Sequence, residues 1–331
     1  MGAKRRKNKR LKGDKTMILF LFSFCSCWTD QMLAIAGEVG LEQFGYSLQK
    51  KLNSVFQNAG DEFTRVSQAA AWLYYAERPP FNIPSFNHWH FYSQPINPNN
   101  LTIETHIDVD NLKENFDSIR KSVRGGKVSR TWPFAFLMKL YLTGMCDIYS
   151  PLHVSELFNE QFPNGDRNGR DFYVKYNGNF ISLYDLWETG CGYFDSQVDF
   201  TSDDDWKKID KLTNELSLAF TSEDWPSTLS VAQVIQANYN YTRDTVYNGL
   251  VNGSEVSKEY ITTCQNYAQD IVILAGKRIA TDLANLNIIE IAKQIPYANA
   301  IRSSEVAAWS ILFIFTPFAA LLIWKKHFST K

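Results

Sequence analysis

Hydrophobic residues recur at helical spacing along most of the chain. The longest apolar stripe lies in residues 257–287 and includes Ile261, Ala268 and Ile279. Turn residues dominate residues 159–180, where Asn177-Gly178 predicts one β-hairpin. We therefore expect an all-α, mainly helical domain with one hairpin-like stretch. The predicted helices cover residues 30–56, 60–78, 111–123, 132–149, 201–220, 221–239 and 257–287, and residues 81–100 are expected to form a loop or a short extended segment.

The pattern contains no long internal repeat and no linker within residues 28–300, which predicts one domain. Residues 1–27 differ from this predicted domain, because a basic stretch is followed by a short apolar run and small residues. This order is typical of a secretory signal peptide, and the apolar run is too short to span a bilayer. Cleavage after Cys27 would leave Trp28 first. A nucleic-acid-binding tail, a nuclear address and a mitochondrial presequence remain alternatives.

Residues 306–324 form a second distinct apolar segment, without a single charged residue. Such a segment predicts one transmembrane helix, with a buried core helix as the alternative. The positively charged residues 325–331 then predict a short cytoplasmic tail. Together the two ends predict a single-pass membrane protein of the secretory pathway, whose N-terminal domain is lumenal or extracellular.

Three sequons for N-linked glycosylation fit this topology, although each is a weak signal alone. Cysteine is sparse, and Cys25 and Cys27 would leave with the signal peptide. The three cysteines that remain allow at most one intrachain disulfide. The sequons begin at Asn100, Asn240 and Asn252, and the remaining cysteines are Cys146, Cys191 and Cys264.

The overall charge of −1 conceals an acidic domain. Residues 28–324 carry 23 Lys and Arg against 34 Asp and Glu, a net charge of −11. Such a domain repels the phosphate backbone of a nucleic acid unless metal ions or a local basic groove intervene.

Several short motifs follow Trp28 in a defined order: "AAAWLYYAER", "HWHFYSQP", "CDIYSPLH", "NGDRNGRDFYVKYNGNFISLYDLWE" and "AGKRIATDLANLN". Together they resemble the zinc-dependent single-strand nucleases of the S1/P1 type, which share an all-helical fold with bacterial phospholipase C. The resemblance covers roughly residues 28–286. It implies a phospholipase C-like helical domain and a site built to bind three zinc ions.

Five residues match or nearly match the zinc ligands that the resemblance implies. Trp28, His90, Asp147 and His153 stand at ligand positions of the family motifs, and Glu188 stands where the family has Asp. Imidazole and carboxylate groups are suitable zinc ligands. Other roles remain open: the two histidines as hydrogen-bonded polar residues, Asp147 as a cap and Trp28 as a signal boundary.

Other ligand positions of the family carry residues that bind zinc poorly. Tyr74 replaces a bridging Asp, while Thr143 and Tyr184 replace histidines. An early family His is also missing, and Asp30 is its only possible stand-in. Tyr and Thr are neutral at pH 7, so each site implied by the resemblance lacks at least one ligand. We expect at most one weakly bound zinc ion.

Two functions follow from this incomplete ligand set. The first is a membrane-anchored pseudoenzyme that binds or scaffolds a protein partner outside the cytoplasm. The alternative is an active zinc-dependent phosphodiesterase, an endonuclease or 3′-nucleotidase, in which zinc activates a water molecule for attack at phosphorus. Nucleic acid or a nucleotide would be a partner only in the second case.

Overall fold

The computed structural model describes residues 28–59, 63–76, 83–104, 107–124, 131–221, 229–286 and 288–294. These residues form mostly helices, which confirms the prediction of a mainly helical fold. The α-helices are α1 (Asp30–Glu42), α2 (Tyr46–Ala59), α3 (Val66–Ala69), α4 (Trp72–Ala76), α5 (Leu112–Arg124), α6 (Thr131–Tyr149), α7 (Pro151–Val154), α8 (Leu183–Glu188), α9 (Asp203–Ala219), α10 (Val231–Tyr241), α11 (Lys258–Asn285) and α12 (Ile288–Gln294). A 3-10 helix (Pro84–His90), a π-helical turn (Thr242–Val246) and the strands β1 (Gln94–Ile96), β2 (Ser155–Leu157), β3 (Tyr173–Tyr176) and β4 (Asn179–Ser182) complete the described elements.

Two predicted helices are interrupted. The prediction of one helix over residues 30–56 is wrong, because the chain ends α1 and starts α2 anew. The side-chain amide of Gln49 donates to the carbonyl oxygen of Phe44 at 2.7 Å, and the backbone of Gly45 accepts the first bonds of the new helix. The described part of residues 60–78 is likewise divided into α3 and α4. Side-chain contacts at a helix end override the continuous apolar pattern.

The few strands form two separate pairs. The predicted hairpin is present as β3 and β4, joined by a turn in which Asn177 and Gly178 have φ angles of 49° and 79°. Positive φ at both central residues is the geometry that an Asn-Gly hairpin turn requires. The described part of residues 81–100, where a loop or a short extended segment is expected, contains the short strand β1, which pairs with β2 in parallel, and also the 3-10 helix, which the pattern does not predict.

The main core lies around the contact between α1 and α11, where two backbones approach closely. A Cβ atom added to Gly276 would lie 2.5 Å from Cβ of Val39, nearer than two carbon atoms can approach. Glycine at this position therefore permits the close packing. α3, α6 and α9 pack around α1.

A second, smaller core lies beneath the hairpin and contains a disulfide. Cys191 and Cys264 are bonded and buried, and Cys146 is buried with a free thiol. This agrees with the prediction of at most one intrachain disulfide. The bond links the segment after α8 to α11 across 73 positions of sequence.

The predicted signal peptide (1–27), transmembrane helix (306–324) and tail (325–331) lie outside the described residues, as does the end of the predicted domain after residue 294. Among the residues that are described, no helix combines the length and the apolar character needed to cross a membrane.

Candidate metal site

Four short elements bring four ligand-type side chains together. His90 ends the 3-10 helix, Asp147 lies in the last turn of α6, His153 lies in α7, and Glu188 ends α8. The chain leaves α6 before Pro151, because a residue that precedes proline avoids helical backbone angles. The helix then restarts as α7, and His153 comes back to contact Asp147. We call the four residues His90, Asp147, His153 and Glu188 the histidine cluster.

Within the cluster, Asp147 lies between the two histidines. Its Oδ2 atom is 2.8 Å from Nδ1 of His90, and its Oδ1 atom is 3.3 Å from Nδ1 of His153. The same Nδ1 of His153 is 2.8 Å from the carbonyl oxygen of His90 and donates its proton there. Ligand atoms of these three residues all lie within 4.8 Å of one another, close enough to surround one metal ion.

Tyr184 and Glu188 occupy the other nitrogen of His153. The Tyr184 hydroxyl is 3.1 Å from Nε2 of His153, and Oε1 of Glu188 is 3.3 Å from the same atom. Ser150 donates to that Glu188 oxygen at 3.3 Å. In the described part of the chain, Oε2 of Glu188 is buried without a hydrogen-bond partner. Both ring nitrogens of His153 therefore have protein partners.

The cluster is closed to solvent, and its charges affect one another strongly. The exposed fraction is 0% for His153 and 3% for Glu188. Burial lowers the pKa of His153, but the carboxylates of Glu188 and Asp147 outweigh burial and raise it to about 9. Burial would raise the pKa of Asp147, yet both histidines hold it below its usual value. The pKa of Glu188 is raised by burial.

Two residues that were not singled out from sequence cover the cluster. The guanidinium of Arg170 lies 3.9 Å above the ring of Tyr184 and 4.5 Å above that of Phe91. The Tyr184 ring in turn stacks on His153, with centroids 5.7 Å apart and an interplanar angle of 18°. Arg170 and Phe91 both belong to sequence motifs quoted above. Phe91 directly follows His90 in its motif, and this is the sequence signal that could have identified it. The cation–π stack stabilises this cover.

The replaced ligand positions have different surroundings. Tyr184 reaches the cluster directly. Thr143 lies one turn before Asp147 in α6, but its hydroxyl donates to the carbonyl oxygen of Ala70 at 2.7 Å. The Tyr74 ring packs edge-on against Tyr75, at 5.5 Å between centroids.

The two residues near the predicted mature terminus also have distinct roles. Asp30 accepts a hydrogen bond from the Tyr75 hydroxyl at 2.6 Å, so it contributes to the packing of α1 on α4. Trp28 is fully buried, and the adjacent Thr29 amide donates to the carbonyl oxygen of Glu188 at 3.3 Å. Four of the five predicted ligands thus lie together in the buried histidine cluster, whereas Trp28 packs in the main core.

The described residues include one set of three donors that can hold a metal ion. His90, Asp147 and His153 offer two imidazoles and a carboxylate, and three protein ligands with one open position are common in catalytic zinc sites. Because Nδ1 of His153 is bonded to a main-chain carbonyl, Nε2 is the atom left for a metal. The Tyr184 hydroxyl lies at that atom, so binding requires the phenol to move.

Comparison with known proteins agrees with the motif order. The family model described as S1/P1 Nuclease matches residues 33–287, more than half of the chain. All four residues of the histidine cluster fall inside the matched range, whereas Trp28 precedes it. A search of curated proteins gave no match.

Proposed function

Because the chain belongs to the S1/P1 nuclease family, we propose that it is a catalytically impaired member, anchored in a membrane, that binds or scaffolds a protein partner outside the cytoplasm. The family is zinc-dependent, and a possible metal site of three residues is present. The observation that carries the proposal is the hydrogen bond between Tyr184 and Nε2 of His153 inside a buried cluster.

The reasoning starts from what phosphoester hydrolysis requires. Bound zinc would polarise the phosphoryl group and supply an activated water molecule. Here His90 is hydrogen-bonded to both Asp147 and His153, and the Tyr184 hydroxyl blocks Nε2 of His153. Arg170 and Phe91 cover the same side. A phosphate group has no direct path to these donors, so we expect at most one weakly held zinc ion and little or no turnover.

The location outside the cytoplasm has one independent support. A disulfide between Cys191 and Cys264 is typical of secreted and lumenal proteins, since cytosolic thiols are kept reduced. Membrane anchoring rests on the uncharged residues 306–324.

The alternative, an active zinc-dependent phosphodiesterase, is favoured by one observation. The three donors already lie within 4.8 Å of one another, so they could surround one ion if the Tyr184 hydroxyl moved away from Nε2 of His153. Metal content and turnover therefore separate the two functions.

The deciding experiment uses the full chain purified from a secretory host. We expect no more than one zinc ion per chain after dialysis, and no hydrolysis of single-stranded DNA, RNA or 3′-nucleotides with zinc added. His153→Ala should leave any background rate unchanged. Three zinc ions per chain, or a rate that His153→Ala abolishes, would establish the hydrolase instead.

Anchoring is tested on the same material. The protein should remain in the membrane pellet after carbonate extraction, and a chain truncated after residue 305 should be released. Release of the full chain by carbonate would contradict the anchor without affecting the inference of impaired catalysis.

A further inference from the structure

The outer face of the hairpin exposes aromatic side chains. Phe180 is 66% exposed and Tyr173 is 47% exposed. Phe180 lies opposite Lys175 and Tyr173 opposite Ser182, so the two aromatic residues are diagonal neighbours on one face. Diagonal neighbours lie about 7–8 Å apart, within reach of aromatic rings. Val251, 67% exposed, directly precedes Asn252 in the chain. We call Tyr173, Phe180 and Val251 the hairpin patch. Neighbouring exposed aromatic residues indicate a surface that another group covers.

A predicted sequon lies at the edge of this patch and is held there by hydrogen bonds. The amide of Gly253 donates to the carbonyl oxygen of Tyr173 at 2.7 Å, and the amide of Lys175 donates to that of Ser254 at 2.8 Å. The Tyr173 amide donates to Oδ1 of Asn252, also at 2.7 Å. Residues 252–256 therefore run beside β3, with Asn252 next to Tyr173.

This bonding determines which atom of Asn252 is available. Its side-chain oxygen is occupied by the Tyr173 amide, which fixes the orientation of the amide group. Within the described residues, no hydrogen bond involves Nδ2, the atom to which an N-linked glycan is attached. Asn252 is half-buried, and it lies in a turn with Gly253 at a φ of 84°. The attachment atom is thus held beside the patch.

We propose that Asn252 carries an N-linked glycan and that its first sugars lie over the hairpin patch. The C–H face of a pyranose ring is apolar and complements the electron-rich face of an aromatic ring, while its hydroxyls remain in water. A glycan at this position would cover Tyr173, Phe180 and Val251 and keep the acidic domain soluble. The inference rests on the location outside the cytoplasm that was proposed above.

The test compares the full chain with two variants at the third sequon position. Ser254→Ala removes the sequon and keeps Asn252 with its bond to Tyr173, whereas Ser254→Thr retains the sequon. Peptide mass spectrometry measures glycan occupancy, and hydroxyl-radical footprinting measures the accessibility of individual side chains. We expect the wild type and Ser254→Thr to be glycosylated at Asn252. Oxidation of Tyr173 and Phe180 should rise at least about twofold in Ser254→Ala, in proportion to the uncovered area.

Internal controls make each outcome interpretable. Tyr46 is 77% exposed and lies in α2, so its oxidation should be the same in all three proteins. Enzymatic removal of the glycan from folded wild type repeats the comparison without a substitution. Equal oxidation with and without the glycan would overturn the proposal and indicate a protein partner or no cover.

Glycan occupancy at the three sequons distinguishes failure of this inference from failure of the proposed location outside the cytoplasm. Glycans at the exposed Asn100 or Asn240 but none at Asn252 would overturn the present proposal and leave the location intact. No glycan at any of the three sites would contradict both.

Discussion

Among the described residues, two buried clusters of charged side chains join helices of this fold. They differ in whether their cationic groups can become neutral by losing a proton. The histidine cluster connects α6, α7 and α8 with the 3-10 helix. The second cluster, here the arginine cluster, connects α5, α6 and α11 and consists of Arg120, Tyr141, Arg278 and Asp282. In each, one aspartate is the central acceptor.

Asp282 receives three partners. The Nε atom of Arg278 is 3.2 Å from Oδ1 of Asp282, the Tyr141 hydroxyl is 3.0 Å from Oδ2, and the guanidinium of Arg120 is 3.3 Å from Oδ2. Arg278 also donates to the carbonyl oxygen of Leu229. Arg278 is 6% exposed. Two guanidinium groups thus depend on one buried carboxylate.

The two clusters differ in how their buried charge can be tolerated. A guanidinium keeps its charge at every pH at which proteins fold, so the loss of Asp282 leaves buried charge uncompensated. An imidazole can release its proton and remain as a neutral hydrogen-bonding group. A buried histidine such as His153 can therefore be accommodated by a hydrogen-bonding neighbour such as Tyr184.

The largest effect is expected from Asp282→Asn. The free energy of unfolding should fall by about 3–5 kcal/mol, the range for removing one partner of a buried ion pair. Denaturant unfolding of the purified protein measures it. The matched control is Glu290→Gln, which removes an exposed carboxylate paired with Lys293 at 2.7 Å and should change stability by less than about 0.5 kcal/mol.

A loss below about 1 kcal/mol for Asp282→Asn would mean that solvent reaches the arginine cluster and that burial does not determine its energetics. The comparison between the clusters would then lose its physical basis.

A smaller effect is expected from Asp147→Asn in the histidine cluster. The carboxamide retains an oxygen for Nδ1 of His90, and the pKa of His153 falls without the Asp147 charge, while the larger contribution from Glu188 remains. The free energy of unfolding should fall by about 2 kcal/mol, less than for Asp282→Asn. Unfolding is measured with zinc and again with a chelator, and the loss should be equal in both.

A larger loss in the presence of zinc would show that Asp147 holds a metal ion in the native protein. Turnover in the zinc-supplemented assay would then decide whether that metal supports hydrolysis.

Sequence alone could identify one of the two clusters. His90, Asp147 and His153 lie in short motifs whose order resembles a family, so the motifs are enough to predict that these side chains meet. Arg120 and Asp282 are separated by 162 positions and belong to no motif that predicts their pairing, so only the packing of α6 against both α5 and α11 brings them together. Local sequence patterns predict functional side chains that lie in short motifs. They do not predict ion pairs that form only through the packing of distant helices.

The same reasoning explains the errors at helix ends and at the site. The apolar pattern continues through residues 43–45, but α1 ends at Glu42 and α2 begins at Tyr46, and the Gln49 side chain bonds to the carbonyl oxygen of Phe44 between them. Tyr184 could be recognised as a lost ligand, yet its bond to His153 depends on the rotation of α8 against α7, which periodicity does not specify. Arg170 covers the cluster from a turn-rich segment that has no regular pattern.

The smallest effect on stability, and the most direct test of the site, comes from Tyr184→Phe. The ring that stacks on His153 remains, while the hydroxyl at Nε2 is removed. The loss of one buried hydrogen bond should lower the free energy of unfolding by about 1 kcal/mol. Without the hydroxyl, Nε2 of His153 is available to a metal ion, so calorimetry should show tighter zinc binding than in the wild type. Tyr46→Phe, on an exposed side chain, should change neither quantity. Zinc affinity that is unchanged by Tyr184→Phe would mean that the phenol does not block the site, and that the ligands lost at Tyr74 and Thr143 account for weak binding by themselves.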